Sequence, residues 1–156
     1  YLGKAQRDWL IEALARSTAT FKIIVSNTSL LNPVQENNDP VTVPNTREDF
    51  LKTLRLRDIK GVFFISGNRA AGETTKFVRA NGYDLYDFCV GPLTARAATA
   101  PSSMNHLRMP GSTTVGNQFA TLTFDGPEDA RTATFTAYDS TGAELYTLTL
   151  KHEGLQ

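Results

Sequence analysis

Two short polar segments stand out as places where chemistry is possible. Ile65-Ser66-Gly67-Asn68-Arg69-Ala70-Ala71-Gly72-Glu73 closes an apolar run, and Ser26-Asn27-Thr28-Ser29 closes an earlier one in the same way. In open α/β sheets ligands bind beyond the carboxyl ends of the strands, where loops converge. If the two apolar runs are adjacent parallel strands, their tips form one site. Ser26, Asn27, Ser29 and Ser66 bring hydroxyl and amide donors suited to an anion, and Arg69 brings a planar fork that can grip a phosphate. The same residue types also build turns and caps, so these tetrads give a location rather than a reaction.

Other reactive residues are sparse. The two histidines, His106 and His152, have no Cys or acidic cluster beside them at metal-ligand spacing. Cys89 lies in an apolar stretch with no base placed to activate it, which reads as a buried, inert thiol. Ser66 precedes a glycine, but the Gly-x-Ser-x-Gly elbow is absent. Asp84 and Asp87 alternate with Leu85, Tyr86 and Phe88 and read as charges on an edge strand. Trp9 sits at helical spacing with Leu10 and Ala13, which predicts core packing.

The surrounding chain must be one folded unit. At 156 residues there is room for a single domain, 1–156, or part of a larger one. Hydrophobic residues make up 40% of the chain, enough for a packed core. Sixteen basic residues balance sixteen acidic ones, which argues against nucleic acid as a partner. The longest apolar run, Val62 to Ile65, is far short of the roughly 20 residues of a membrane span. Tyr1 rather than Met comes first and no leader is legible, so the chain reads as a processed or excised piece.

Periodicity supplies the elements. Gln6 to Ala15 predicts an amphipathic helix with Trp9, Leu10, Ala13 and Leu14 inward, and Phe21 to Val25 a strand covered on both faces. Asn45 with Glu48 resembles a capping box opening a second helix with Phe50, Leu51 and Leu54 buried. Gly61 to Ile65 is the next strand. Helix, strand, helix, strand over 1–82 implies an α/β layer with parallel pairing. From 83 to 156 the reading is antiparallel. Leu85, Phe88 and Val90 mark a strand, and a long loop over 91–114 with Pro92, Pro101 and Pro110 reads as a lid or cover. Three threonine-rich alternating strands follow around Ala120–Phe124, Ala133–Ala137 and Tyr146–Leu150. Turns at Asp125-Gly126-Pro127 and Asp139 to Gly142 separate them.

Taken in order, these pieces resemble the C-terminal half of the alkaline phosphatase D (PhoD-like) family of metallophosphoesterases. Leu2-Gly3, Gln6 and Trp9-Leu10 match the family's opening. Ala19 to Ser26, Asn32-Pro33, Pro44 with Arg47-Glu48, and Gly61 to Gly67 follow in register. Tyr83 to Phe88, Pro92-Leu93-Thr94, and Asn117 to Leu150 complete the series. The resemblance implies half of a metallophosphoesterase-type sandwich: a mixed sheet with flanking helices, then antiparallel strands. It also implies hydrolysis of phosphate esters, metal ions such as Ca, Fe, Zn or Mn, and a periplasmic or extracellular location.

The signature departs from the family. After Ser-Gly the family has Asp, any residue, then His, often with a second His; here stand Asn68, Arg69, Ala70 and Ala71. An asparagine offers a neutral carbonyl oxygen, so Asn68 is a weak metal donor, while Ala70 and Ala71 offer none. Ser29 stands where glutamine is usual, Asn27 where glycine is common, and Val43 near a usual aromatic. The expectation is therefore a chain that binds no metal by itself and is catalytically silent, or else a non-catalytic binding or scaffold module. Half a sandwich would expose apolar surface, which implies a partner: the upstream half of the same polypeptide or a homodimer.

Overall fold

A computed structural model describes residues 3–34, 44–99 and 104–156. Expectations resting on Leu2, Val43 and Pro101 lie outside these residues. The element order is α1 (Lys4–Arg16), β1 (Lys22–Val25), α2 (Pro44–Leu56), β2 (Val62–Ser66), β3 (Glu73–Phe77), β4 (Leu85–Cys89), β5 (Gln118–Asp125), β6 (Thr132–Asp139), β7 (Glu144–Lys151) and a 3₁₀ turn at His152–Leu155.

The helices form where apolar spacing allows; in α1 Leu14 is buried and Leu10 packs against the core as expected, but Trp9 and Ala13 do not. Ile11 and Leu14 are buried, while Trp9 is 67% exposed. The packed stripe is 7–11–14. It includes Arg7, which pairs with Asp49 at 2.5 Å and reaches Thr53 Oγ1 at 3.4 Å on α2. Residues 7 and 9 lie about 200° apart around a helix, so the face that turns Arg7 toward α2 turns Trp9 away from it. α2 begins at Pro44, so Asn45 lies inside its first turn rather than capping it. A proline at the first helical position loses no hydrogen bond there. Phe50, Leu51 and Leu54 are buried, as their spacing predicts.

Four strands form one mixed sheet in the order β1-β2-β4-β3. β1 and β2 pair in parallel from Lys22↔Val62 to Val25↔Ile65. β2 and β4 are also parallel, with Phe64↔Asp87, Ile65↔Phe88 and Ser66↔Cys89. The expected change to antiparallel pairing at residue 83 therefore falls inside this sheet: β4 is a central strand. Its antiparallel neighbour is β3, which sequence periodicity did not reveal because Glu-Thr-Thr-Lys-Phe carries almost no apolar pattern.

β1 differs from expectation as well. Ile23 is 36% and Val25 76% exposed, not covered on both faces. The strand lies at the sheet edge, and the layer covering that face ends before it reaches these two residues.

β5, β6 and β7 form a separate antiparallel sheet with β6 in the middle. Ala133, Phe135 and Ala137 point inward. On the outer face Thr134 and Thr149 hydroxyls lie 2.9 Å apart, and those of Thr136 and Thr147 3.1 Å apart. This is the inside–outside split that period two predicts.

An aromatic column joins the sheets. Phe88 stacks on Phe135 with centroids 4.5 Å apart and meets Phe63 edge-on at 5.9 Å. Phe21 touches Phe63 at 6.1 Å and Phe124 at 5.8 Å. The other face of the mixed sheet, with Val62, Phe64 and Leu85, shares a core with Leu14, Leu51 and Leu54 of the helices. The architecture is thus helices, mixed sheet, antiparallel sheet.

Candidate functional site

The parallel pairing of β1 and β2 brings the two polar segments side by side. Ser26 N donates to Ile65 O at 2.9 Å, so the ladder runs to the very start of both loops. Beyond that point the segments are organised by Asp87, which is wholly buried. Its Oδ2 accepts from Ser29 Oγ at 2.8 Å, Leu30 N at 2.7 Å and Leu31 N at 3.1 Å. Its Oδ1 accepts from Ser66 Oγ at 2.6 Å. One carboxylate in the middle of the sheet thus ties the tip after β1 to the end of β2. The expected edge-strand role of Asp87 is corrected: β4 has neighbours on both sides, and residue 87 shares the inward face of Leu85. The alternation Leu85, Asp87, Cys89 carried that signal, because an acid in register with two buried residues must be buried itself.

The anion-site residues divide accordingly. Ser29 and Ser66 are each 4% exposed and spend their hydroxyls on Asp87. Neither is placed as a nucleophile. Ser26 is half-buried and Asn27 exposed; Thr28 N reaches Ser26 Oγ at 3.4 Å. Arg69 is half-buried and donates to Val34 O at 2.8 Å, binding its loop to the neighbouring one. Arg47 adds a parallel contact from α2 to Leu31 O at 3.0 Å.

The degenerate signature lies at the outer tip. Asn68 is exposed and holds φ at 59°, a left-handed backbone that asparagine tolerates better than most residues. Ala70 is exposed and Ala71 half-buried. Ala70 O accepts from Ala98 N at 2.8 Å, which anchors the tip to the long 91–114 loop.

As a metal site this donor set does not fit. The tip presents one amide oxygen and no imidazole or carboxylate, and the nearby acids Asp87 and Glu73 are engaged internally. Among the described residues no group of three or more His, Cys, Asp and Glu could hold a metal ion. Cys89 adds nothing reactive: burial pushes its thiol up to about 12, so the thiolate is absent near neutrality. His106 is exposed, and His152 Nδ1 lies 3.2 Å from Asp129 O in a remote corner.

The residue that spacing did not single out is Glu73. It is 7% exposed and accepts from Arg108 Nε at 2.6 Å and from the side-chain amides of Asn32 and Asn105. Asp84, by contrast, forms a half-exposed pair with Lys76 at 2.8 Å.

Helices, a mixed sheet whose loop tips converge beyond two parallel strands, and a second antiparallel sheet behind it make this an α/β layered fold. The description PhoD-like phosphatase matches residues 1–142, and the chain belongs to that family. A solved structure described as "Structure of PhoD" is similar in fold, with a TM-score of 0.57 at 13% identity, covering 99% of this chain. The chain spans 34% of the length of that structure. No curated protein matches the sequence.

Proposed function

We propose that this chain is the C-terminal part of a PhoD-like, metal-dependent phosphatase or phosphodiesterase, and that by itself it turns over no phosphate ester. Family membership supports the first half of this reading. The observation behind the second is Ala70, a methyl group at an exposed tip where an imidazole would be needed, next to Asn68 in place of a carboxylate. A metal in this family would polarise a phosphoryl oxygen and activate water. This chain's contribution is the frame: Asp87 fixes the tips of both loops, Arg69 and Arg47 brace the 31–34 strand of loop, and Asn27 and Asn68 face outward.

An aryl phosphate ester offered with added Ca²⁺, Fe³⁺, Zn²⁺ or Mn²⁺ should show no metal-dependent hydrolysis above background. Turnover that rises with metal concentration and falls with chelator would overturn the reading.

A non-catalytic scaffold or binding module is the second reading. It is favoured by the same loss of donors in a frame whose internal hydrogen bonds are intact. The retained donors Ser26, Asn27 and Arg69 would then hold an anion or a partner.

The partner follows from exposed apolar surface. Val25, Leu93 and Phe119 are exposed, and a groove of about 280 Å³ between the sheets is lined by Ile65, Val90, Leu93, Phe119, Leu122 and Phe135. Among the described residues β1 is also an edge strand, with a pairing neighbour on one side only. The upstream half of the same polypeptide or a second copy of the chain is the proposed cover. Light scattering of the isolated chain should show concentration-dependent association, reduced by Val25→Lys. A monodisperse monomer at high concentration would refute it. Among the described residues no helix is long and apolar enough to cross a membrane. A periplasmic or extracellular setting remains part of the proposal by family resemblance.

A further inference from the structure

The Asp87 hub does not end at the loop tips. Asn32, 4% exposed, donates from its backbone N to Ser29 Oγ at 3.1 Å, accepts from Val34 N at 2.8 Å, and reaches Glu73 Oε1 with its side-chain amide. Glu73 passes the connection on to Arg108 and Asn105, and Asn105 also donates to Thr75 Oγ1 at 2.8 Å. These last residues belong to a strap, 105–114, that lies along the free side of β3. Lys76 N donates to Leu107 O and Met109 N to Thr74 O, both at 2.9 Å. Thr74 N donates to Ser112 Oγ at 3.0 Å, and Gly72 and Thr114 exchange backbone bonds at 2.9 Å.

A single file of buried polar contacts therefore runs Ser66–Asp87–Ser29–Asn32–Glu73–Arg108. Buried hydrogen-bonded groups cannot separate one at a time without leaving a donor or acceptor unpaired in a dry interior. When the strap lifts, Glu73 loses its cation and an amide donor, and its remaining described buried partner is Asn32. Asn32 cannot follow without also releasing Ser29 and Val34.

We propose that Asn32 couples the 105–114 strap to the Asp87 hub, so that the strap and both loop tips open as one cooperative unit. The placement of Asn68 and Arg69 then depends on whether the strap is seated on β3. This holds whether the loops meet a phosphate ester or only a protein partner. It assigns residues 105–114 a role in ordering the site from behind.

Native-state hydrogen exchange measured by NMR tests this. The amides of Leu30 and Leu31 report the hub, those of Met109 and Thr114 report the strap, and the β6 amides serve as reference. Ser112→Ala loosens the strap without touching Glu73 or Asn32. It should speed exchange at Met109 and Thr114 by about tenfold, as expected for a locally destabilised cooperative unit, and speed Leu30 and Leu31 in step. On an Asn32→Ala background the same change should still speed the strap while leaving Leu30 and Leu31 unaltered by it. If Ser112→Ala also speeds the β6 amides, the milder Ser112→Cys, which likewise leaves Glu73 and Asn32 untouched, is read in the same way. Acceleration confined to 105–114, or none at all, overturns the coupling.

Discussion

Asp87→Ala is expected to lower folding stability by about 4 kcal/mol, because four buried donors lose their acceptor together. The thermal midpoint should fall by on the order of 10 °C for a chain of this size. Asp87→Asn should cost only about 1 kcal/mol, since it removes the charge but keeps hydrogen bonds on both sides. The reason lies in how the donors divide. Oδ2 takes Ser29 Oγ, Leu30 N and Leu31 N, so a carbonyl oxygen there serves as well. Oδ1 meets only Ser66 Oγ, a hydroxyl that can turn to accept from an amide N–H. Urea denaturation of the two variants checks the order. Equal losses, or a loss below about 1 kcal/mol for the alanine variant, would remove Asp87 from its place at the hub.

The same residue gives a pH prediction. Burial pushes the Asp87 carboxyl above its ordinary value of 3.8, opposed by donation from Ser66, Ser29, Leu31 and Leu30. In the window from 3.8 up to the raised value, the folded chain holds a proton that the unfolded chain has already released. More protons bound when folded means that this group's contribution to stability falls as pH rises through the window. Asp87→Asn should flatten that part of the stability profile, and an unchanged slope would show that Asp87 does not titrate there.

Phe88→Ala is the second large effect, expected at about 4 kcal/mol. Phe88 is fully buried and contacts aromatic rings of both sheets, stacking on Phe135 and meeting Phe63 edge-on. Removing it opens a cavity in the aromatic column that joins the two sheets. The site lies on the opposite face of the same strand, one residue from Asp87, so the loss should also reach the loop tips. Phe135→Ala should cost nearly as much. The double variant should fall short of the sum by about 1 kcal/mol, the usual coupling of an aromatic pair. Simple additivity in chemical denaturation would mean that the two rings pack independently.

These effects account for an order-keeping frame around a tip without ligands. The polar groups that remain, Asp87, Ser29, Ser66, Asn32 and Glu73, are turned inward and satisfied, and their work is to hold loops in place. At the tip, Asn68 and Ala70 face outward, Ala71 is half-buried, and the three contribute one side-chain amide.

The residues alone settled a good deal. Apolar period and turn chemistry marked both helices, the strands at 22–25 and 62–66, and the three threonine-rich strands, because each signal is local and repeats within a few residues. The two loops were legible as the polar ends of apolar runs, and the ordered likeness gave the PhoD-like family, since both are matters of residue identity. Tertiary structure decided the rest. It placed β4 between β2 and β3, turned Trp9 away from the Arg7–Asp49 contact, and left Val25 at a bare edge. It also turned Asp87 from an edge-strand charge into a buried hub, and it brought out Glu73, which spacing had not singled out. Strand order, helix rotation and the pairing of a carboxylate with donors 21 to 58 residues away depend on which segments meet in space. A short window of sequence carries the preference of each residue but not the neighbour that satisfies it.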